Sequence, residues 1–171
     1  MPPRLRKAAL LLHVTTSVGW LGAVGAFLAL AVTGLASSAR ATVRGTYVAA
    51  DVVTDAVIVP LALASLGSDV LQSLGTPWGL VRHYWVVVKL VLTVASTALL
   101  LLHSGPIGHL GAVAGSGARL GADLDGMRLQ LVVDAAAALL VLLGATALAL
   151  WKPRGLTRWG RRRSRTTSAI E

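Results

Sequence analysis

Eight side chains in this sequence could hold a proton or a metal ion within apolar surroundings: His13, Asp51, Asp55, Asp69, His83, Lys89, His103 and Asp134. They sort into two groups by depth. Lys89 follows the string Arg82-His83-Tyr84-Trp85 and precedes an uncharged stretch that ends at His103. A lysine inside an apolar helix is costly and by default asks for a partner. Asp69 falls at the same depth, and so does His13, with Gln72, Tyr84 and Trp85 close by. An Asp69–Lys89 pair would remove two isolated charges at once. It could equally do no more than fix helix register, with His13 hydrogen-bonded beside it. The second group is Asp51, Asp55, His103 and Asp134, joined by Gln130 and by His109 as a cap. Carboxylates and imidazoles are the oxygen and nitrogen ligands of divalent-metal sites. Held together they also carry protons, because like charges favour each other's protonated form. The alternative is that they mark the water interface, with Arg128 or Arg44 as counter-ions.

The elements that would position these groups are membrane helices. Of 171 residues, 55% are hydrophobic and 13% charged. That balance belongs to the membrane class. A span takes about 20 apolar residues, and four segments qualify: 8–35, 47–74, 77–103 and 127–151. The first is too long for a signal peptide's apolar core of about 7–15 residues and reads as an uncleaved helix. Its small residues Thr15, Gly19, Gly22 and Ala26 form a stripe that would admit a neighbouring helix. His13, Ser17, Trp20 and Val24 lie on a separate face. In the second span Asp51 and Asp55 are four apart, hence on one helix face. Pro60 should kink that helix or loosen one backbone bond. Thr76 suits an N-cap and Pro77 a first helical position. So short a connection after Gly75 makes spans two and three antiparallel neighbours. Residues 104–126 read as a glycine-rich loop, and 156–171 as a basic cytoplasmic tail after the transmembrane domain of residues 1–155.

The expected fold is therefore all-α, an up-down-up-down transmembrane four-helix bundle. Putting both termini in the cytoplasm leaves eleven Lys and Arg residues inside (Arg4, Arg6, Lys7, Arg82 and seven after Trp151) and four outside. That bias obeys the positive-inside rule for a plasma-membrane protein. It also explains the net charge of +9 through lipid headgroups rather than nucleic acid. With no cysteine, disulfides and thiol chemistry are excluded. There is no nucleophile triad, phosphate loop or metal-protease motif, which argues against a hydrolase or a nucleotide-driven enzyme. His13 and His103 stand near opposite faces, about 20 Å or more apart at the helical rise, and cannot share one haem. A haem would need His13 with His83, His13 with another ligand, or a single axial ligand.

The string Leu12-His13-Val14-Thr15-Thr16-Ser17-Val18-Gly19-Trp20-Leu21-Gly22 resembles a pattern of small membrane proteins of the CopD (copper resistance D) type and, more loosely, of HemJ-type protoporphyrinogen oxidases. Tyr84-Trp85-Val86-Val87-Val88-Lys89-Leu90 resembles the Lys-Leu signature of the same broad group. The layout, including Lys152 to Gly155, looks like that of small four-span proteins of actinobacterial type. The resemblance implies a four-helix membrane bundle with His13 and Lys89 at the group's polar positions. It also implies haem b or copper as the cofactor. The chain departs from both groups. It has only Met1 and Met127, and Val87 stands where HemJ-type proteins place a histidine. Three readings follow. One is a membrane protein binding haem or a metal ion. Another is a non-catalytic membrane subunit or scaffold that meets a second copy or another membrane protein. The last is a proton- or cation-coupled transporter using the acidic outer group.

Overall fold

The computed structural model describes residues 2–75, 84–118 and 120–151. Among them the chain is all-α: α1 (Pro3–Ala36), α2 (Arg40–Val53), α3 (Val59–Gly75), α4 (Tyr84–Gly115) and α5 (Asp125–Trp151). A π-helical turn, Thr54–Ile58, joins α2 to α3 as one continuous rod, and a 3-10 turn, Ala122–Leu124, leads into α5. This makes four helices long and apolar enough to cross a membrane. Each packs only a narrow stripe, with 17–28% of its most apolar stretch buried. Large apolar side chains such as Leu11, Leu102, Leu140 and Leu150 are more than two-thirds exposed. In water that surface would be a severe liability; in a bilayer it is the lipid-facing coat. The molecule is a multi-pass integral membrane protein.

The helices stand at the corners of a square. α1 packs on the α2–α3 rod and on α5, and α4 packs on the same two. Among the described residues α1 and α4 make no close backbone approach, nor does α5 with α2 or α3. The diagonals are bridged by side chains alone. α1 turns one face inward: Thr16, Trp20, Val24, Phe27, Ala31 and Gly34 are its buried residues. Gly34 is there because nothing larger fits. A Cβ on it would lie 2.7 Å from Thr46 Oγ1 and 2.9 Å from the Tyr47 ring. The expected small-residue stripe is not the packed face. Thr15, Gly22 and Ala26 are exposed, and only Gly19 abuts the rod, against Leu61.

Two helices run further than their sequences suggest. α2 starts at Arg40 rather than near residue 47. α4 passes His103 and continues to Gly115, so half of the expected loop is helix. Gly108 and Gly111 are not loop residues but the points where α4 meets α2. A Cβ on Gly111 would come within 2.6 Å of Asp51 Cβ. The helix ends where Gly117 adopts φ 80°, a left-handed conformation that suits glycine.

Pro60 acts differently from a simple kink. It lacks the N–H that would bond the Ala56 carbonyl, and its ring crowds that oxygen. The chain answers with the π turn, in which the Val59 N–H bonds the Thr54 carbonyl five residues back. Of the two acids four apart, Asp51 is half-buried against α4, while Asp55, within the π turn, is exposed. The expected Thr76–Pro77 helix start, Arg82, His83 and the tail 152–171 lie outside the described residues, as does Arg119.

Candidate functional site

The end of the bundle that carries the termini contains a buried polar cluster built from three spans. His13 projects from the inward face of α1, Ser65, Ser68 and Asp69 from α3, and Lys89 and Thr93 from α4. The Lys89 Nζ donates to Asp69 Oδ1 at 2.5 Å and lies 3.0 Å from His13 Nε2. That same imidazole nitrogen is 3.2 Å from Asp69 Oδ1. The side chains of His13, Asp69 and Lys89 are 13%, 9% and 17% exposed. These charges are therefore well out of solvent, where unpaired ones would be expensive.

The surrounding hydrogen bonds fix the tautomer. The Ser68 hydroxyl donates to the Ser65 carbonyl at 2.9 Å, so its oxygen is left to accept. His13 Nδ1, 3.0 Å away, must then carry the hydrogen and donate to it. His13 Nε2 is left with its lone pair toward the ammonium of Lys89, and accepts from it. Ser17, one turn along α1, joins the network through Ser65, with hydroxyls 2.8 Å apart. Thr93 donates to the Lys89 carbonyl at 3.0 Å and stands 3.5 Å from the second oxygen of Asp69. One turn nearer the termini, Gln72 donates to the Ala9 carbonyl at 3.3 Å. The cluster as drawn is neutral overall: one ammonium, one carboxylate, one neutral imidazole. Moving one proton from Lys89 Nζ to His13 Nε2 leaves it neutral and lets Nε2–H donate to Asp69 Oδ1. The groups can thus hold the same proton in two places without moving more than a hydrogen.

About 21 Å further along α4, by the helical rise, a second polar pair lies on the α4–α5 side. His103 Nδ1 donates to the Leu99 carbonyl at 2.9 Å. Its Nε2 accepts from Gln130 at 3.2 Å and is 3.1 Å from Asp134 Oδ2. That approach is off the hydrogen-bonding line, and Asp134 Oδ2 is left without a donor. The rest of the expected outer group is dispersed. Asp51 is held on the glycines of α4, Asp55 faces outward, and His109 is exposed. Among the described residues, no three His, Cys, Asp or Glu side chains are placed to hold a metal ion.

Arg128 was expected as counter-ion to these acids and goes elsewhere. It donates to the Gly34 carbonyl at 2.6 Å, the Tyr47 hydroxyl at 3.0 Å and Asp125 at 2.7 Å. It thereby ties the last turn of α1 to α2 and α5, where a cation meets the free carbonyls of a helix end. Arg44 does the same for α4, donating to the Gly115 carbonyl at 2.8 Å. The signal for Arg128 was its place four residues into α5, beside an acid three residues earlier; nothing in the sequence pointed at Gly34.

These features define a class: a four-span membrane bundle with an ion-paired polar cluster near one end and a His–Asp pair toward the other. No family model, no curated protein and no solved structure matches this chain.

Proposed function

We propose that this protein carries protons across the membrane and that its working group is the His13–Asp69–Lys89 cluster. The observation that carries the reading is that Lys89 Nζ and Asp69 Oδ1 both lie within 3.2 Å of one imidazole nitrogen, His13 Nε2. Ionisable groups within a membrane are a functional signal by default. This set can hold one proton at either of two places, Lys89 Nζ or His13 Nε2, and Asp69 balances whichever neighbour is charged. A pair that only fixed register would need no imidazole beside both of its charges. The excess of Lys and Arg at the termini end supports placing that end in the cytoplasm of a bacterial plasma membrane.

Among the described residues the haem or copper reading implied by the resemblance finds no matching donor set. Both nitrogens of His13 are engaged within the cluster, and His83 lies outside the described residues. The proton reading uses the groups as they stand.

Reconstitution into liposomes with a trapped pH-sensitive dye tests it. Wild-type vesicles should collapse an imposed pH gradient faster than empty ones, and His13→Phe should lose at least about nine-tenths of that excess (about 1.4 kcal/mol in barrier). Equal rates for wild-type and empty vesicles would overturn the carrier reading.

A further inference from the structure

Polar groups continue inward from the His13 cluster toward the His103–Asp134 pair. The Ser17–Ser65 hydroxyl pair comes first, one turn along α1 or about 6 Å at the helical rise, and Ser17 Oγ is 3.4 Å from each ring nitrogen of His13. Trp20 and Ser96 follow at about 10 Å from the cluster by the same rise. At their level begins a narrow space between all four spans, lined by Trp20 and Ser96 and further on by Thr54, His103 and Asp134. Its free volume is about 60 Å³. That is too little for a lipid, but one water molecule needs only about 10–15 Å³, so there is room for a few.

Two residues of this lining carry a buried polar atom that lacks its hydrogen bond. Trp20 is 2% exposed, and its indole N–H has no acceptor among the described residues. Asp134 Oδ2 is buried and has no donor among them. The His103 ring does not supply one: Nδ1 directs its hydrogen at the Leu99 carbonyl, and Nε2 accepts from Gln130. One unmet group is a donor and the other an acceptor, so a molecule that does both satisfies the pair. Thr54 adds a hydroxyl whose hydrogen is committed to the Ala50 carbonyl at 2.8 Å, which leaves its oxygen free to accept. A wholly apolar cavity stays dry, and a held water needs two to four polar partners. Trp20, Ser96, Thr54 and Asp134 supply them here.

We infer that this space holds a short chain of water between Trp20 and Asp134, and that the His103–Asp134 pair is a second proton station, joined by that chain and by Ser17 and Ser65 to the His13 cluster. The water accepts from Trp20 Nε1 and donates to Asp134 Oδ2. The pair suits a passing proton. Asp134 Oδ2 and His103 Nε2 are two acceptors 3.1 Å apart, and one proton added to either removes their repulsion. From Asp134 the proton moves inward along the oxygens, each giving up one hydrogen as it takes another, so every step balances with water alone. The station rests on the proton-carrying reading of the cluster; the water rests only on the space and its two unmet atoms.

Two measurements test this, and only one depends on transport. The first is solid-state NMR of the full chain in lipid bilayers, labelled with ¹⁵N-tryptophan, with magnetisation transferred from water. The Trp20 indole signal is assigned by its loss in Trp20→Phe. It should receive magnetisation from water although the ring is buried, and Ala138→Leu, which narrows the space, should remove that transfer; where Ala138→Leu unfolds the protein, Ala135→Val takes its place. A Trp20 signal without transfer from water, or one that the narrowed protein keeps in full, would overturn the water chain. The second is the liposome assay. Asp134→Asn, alike in shape, should lose at least about nine-tenths of the wild-type excess flux, a tenfold fall in rate, while Asp134→Glu keeps most of it and the His13 ¹⁵N signals stay unchanged in both. Wild-type flux in Asp134→Asn would overturn the second station and leave the carrier reading standing. No excess flux in the wild type, with water still at Trp20, would overturn the carrier reading and the station together and leave the water chain.

Discussion

Removing Asp69 alone from the Lys89–Asp69 pair should be at least as damaging as removing both members. Asp69→Asn leaves the Lys89 ammonium 3.0 Å from a neutral imidazole with no carboxylate among the groups the structure places around it. Breaking a buried pair from one side typically costs about 3–5 kcal/mol. Lys89→Met should cost less, about 1–3 kcal/mol on the scale of an unsatisfied buried group. The reason is specific to this site: His13 Nε2 lies 3.2 Å from the same oxygen and can take a proton and replace the ammonium as donor. The double variant loses both charges and should be no less stable than Asp69→Asn alone, a coupling at least as large as the Lys89→Met cost of about 1–3 kcal/mol. Adding His13→Ala to Lys89→Met should then remove the rescue and bring the loss up to that of Asp69→Asn. The assay is reversible unfolding in mixed detergent–SDS micelles followed by far-ultraviolet circular dichroism. Single effects that add to within about 0.5 kcal/mol would show that the residues are independent, and would refute the idea that they act as one cluster.

Other sites carry separate expectations, all checked by the same unfolding measurement. Gly111→Ala should cost about 1–3 kcal/mol through overpacking, because its Cβ would meet Asp51 Cβ at 2.6 Å. Asp51→Ala in the same chain should not relieve it, since the Cβ remains. Arg128→Lys should be nearly as damaging as Arg128→Met, as an ammonium cannot serve Gly34, Tyr47 and Asp125 with the geometry of a guanidinium. Asp55→Leu should leave stability unchanged or raise it, since the carboxylate is exposed at lipid depth; a clear loss would mean that another subunit covers it.

The fold was legible because four long apolar segments with so little charge have few alternatives. The polar cluster at the termini end was legible for a related reason. Charges are so rare here that counting residues from the span ends brings His13, Asp69 and Lys89 to one depth, where the structure pairs Lys89 with Asp69. What escaped the sequence turned on backbone detail. Gly105, Gly108, Gly111 and Gly115 read as loop, yet their spacing of three and four residues also fits a helix face, and Gly111 proves to be a packing point against Asp51. The π turn before Pro60 has no signature in the spacing of Asp51 and Asp55, of which only Asp51 is drawn in against α4. Arg128 has acids at several distances, and only the packed structure shows that the end of α1 competes for it.

Specific isotope labelling gives the sharpest test of the proton assignment. The chain has four histidines, so ¹⁵N-histidine protein yields a spectrum that single substitutions can assign. His13 should appear at neutral pH as the Nδ1–H tautomer. Its Nε2 should then take up a proton reversibly as the pH falls while the protein stays folded, and the profile should move in Lys89→Met. A His13 signal that keeps one neutral tautomer across the whole folded range, with or without Lys89, would contradict the assignment and leave the cluster a structural tie.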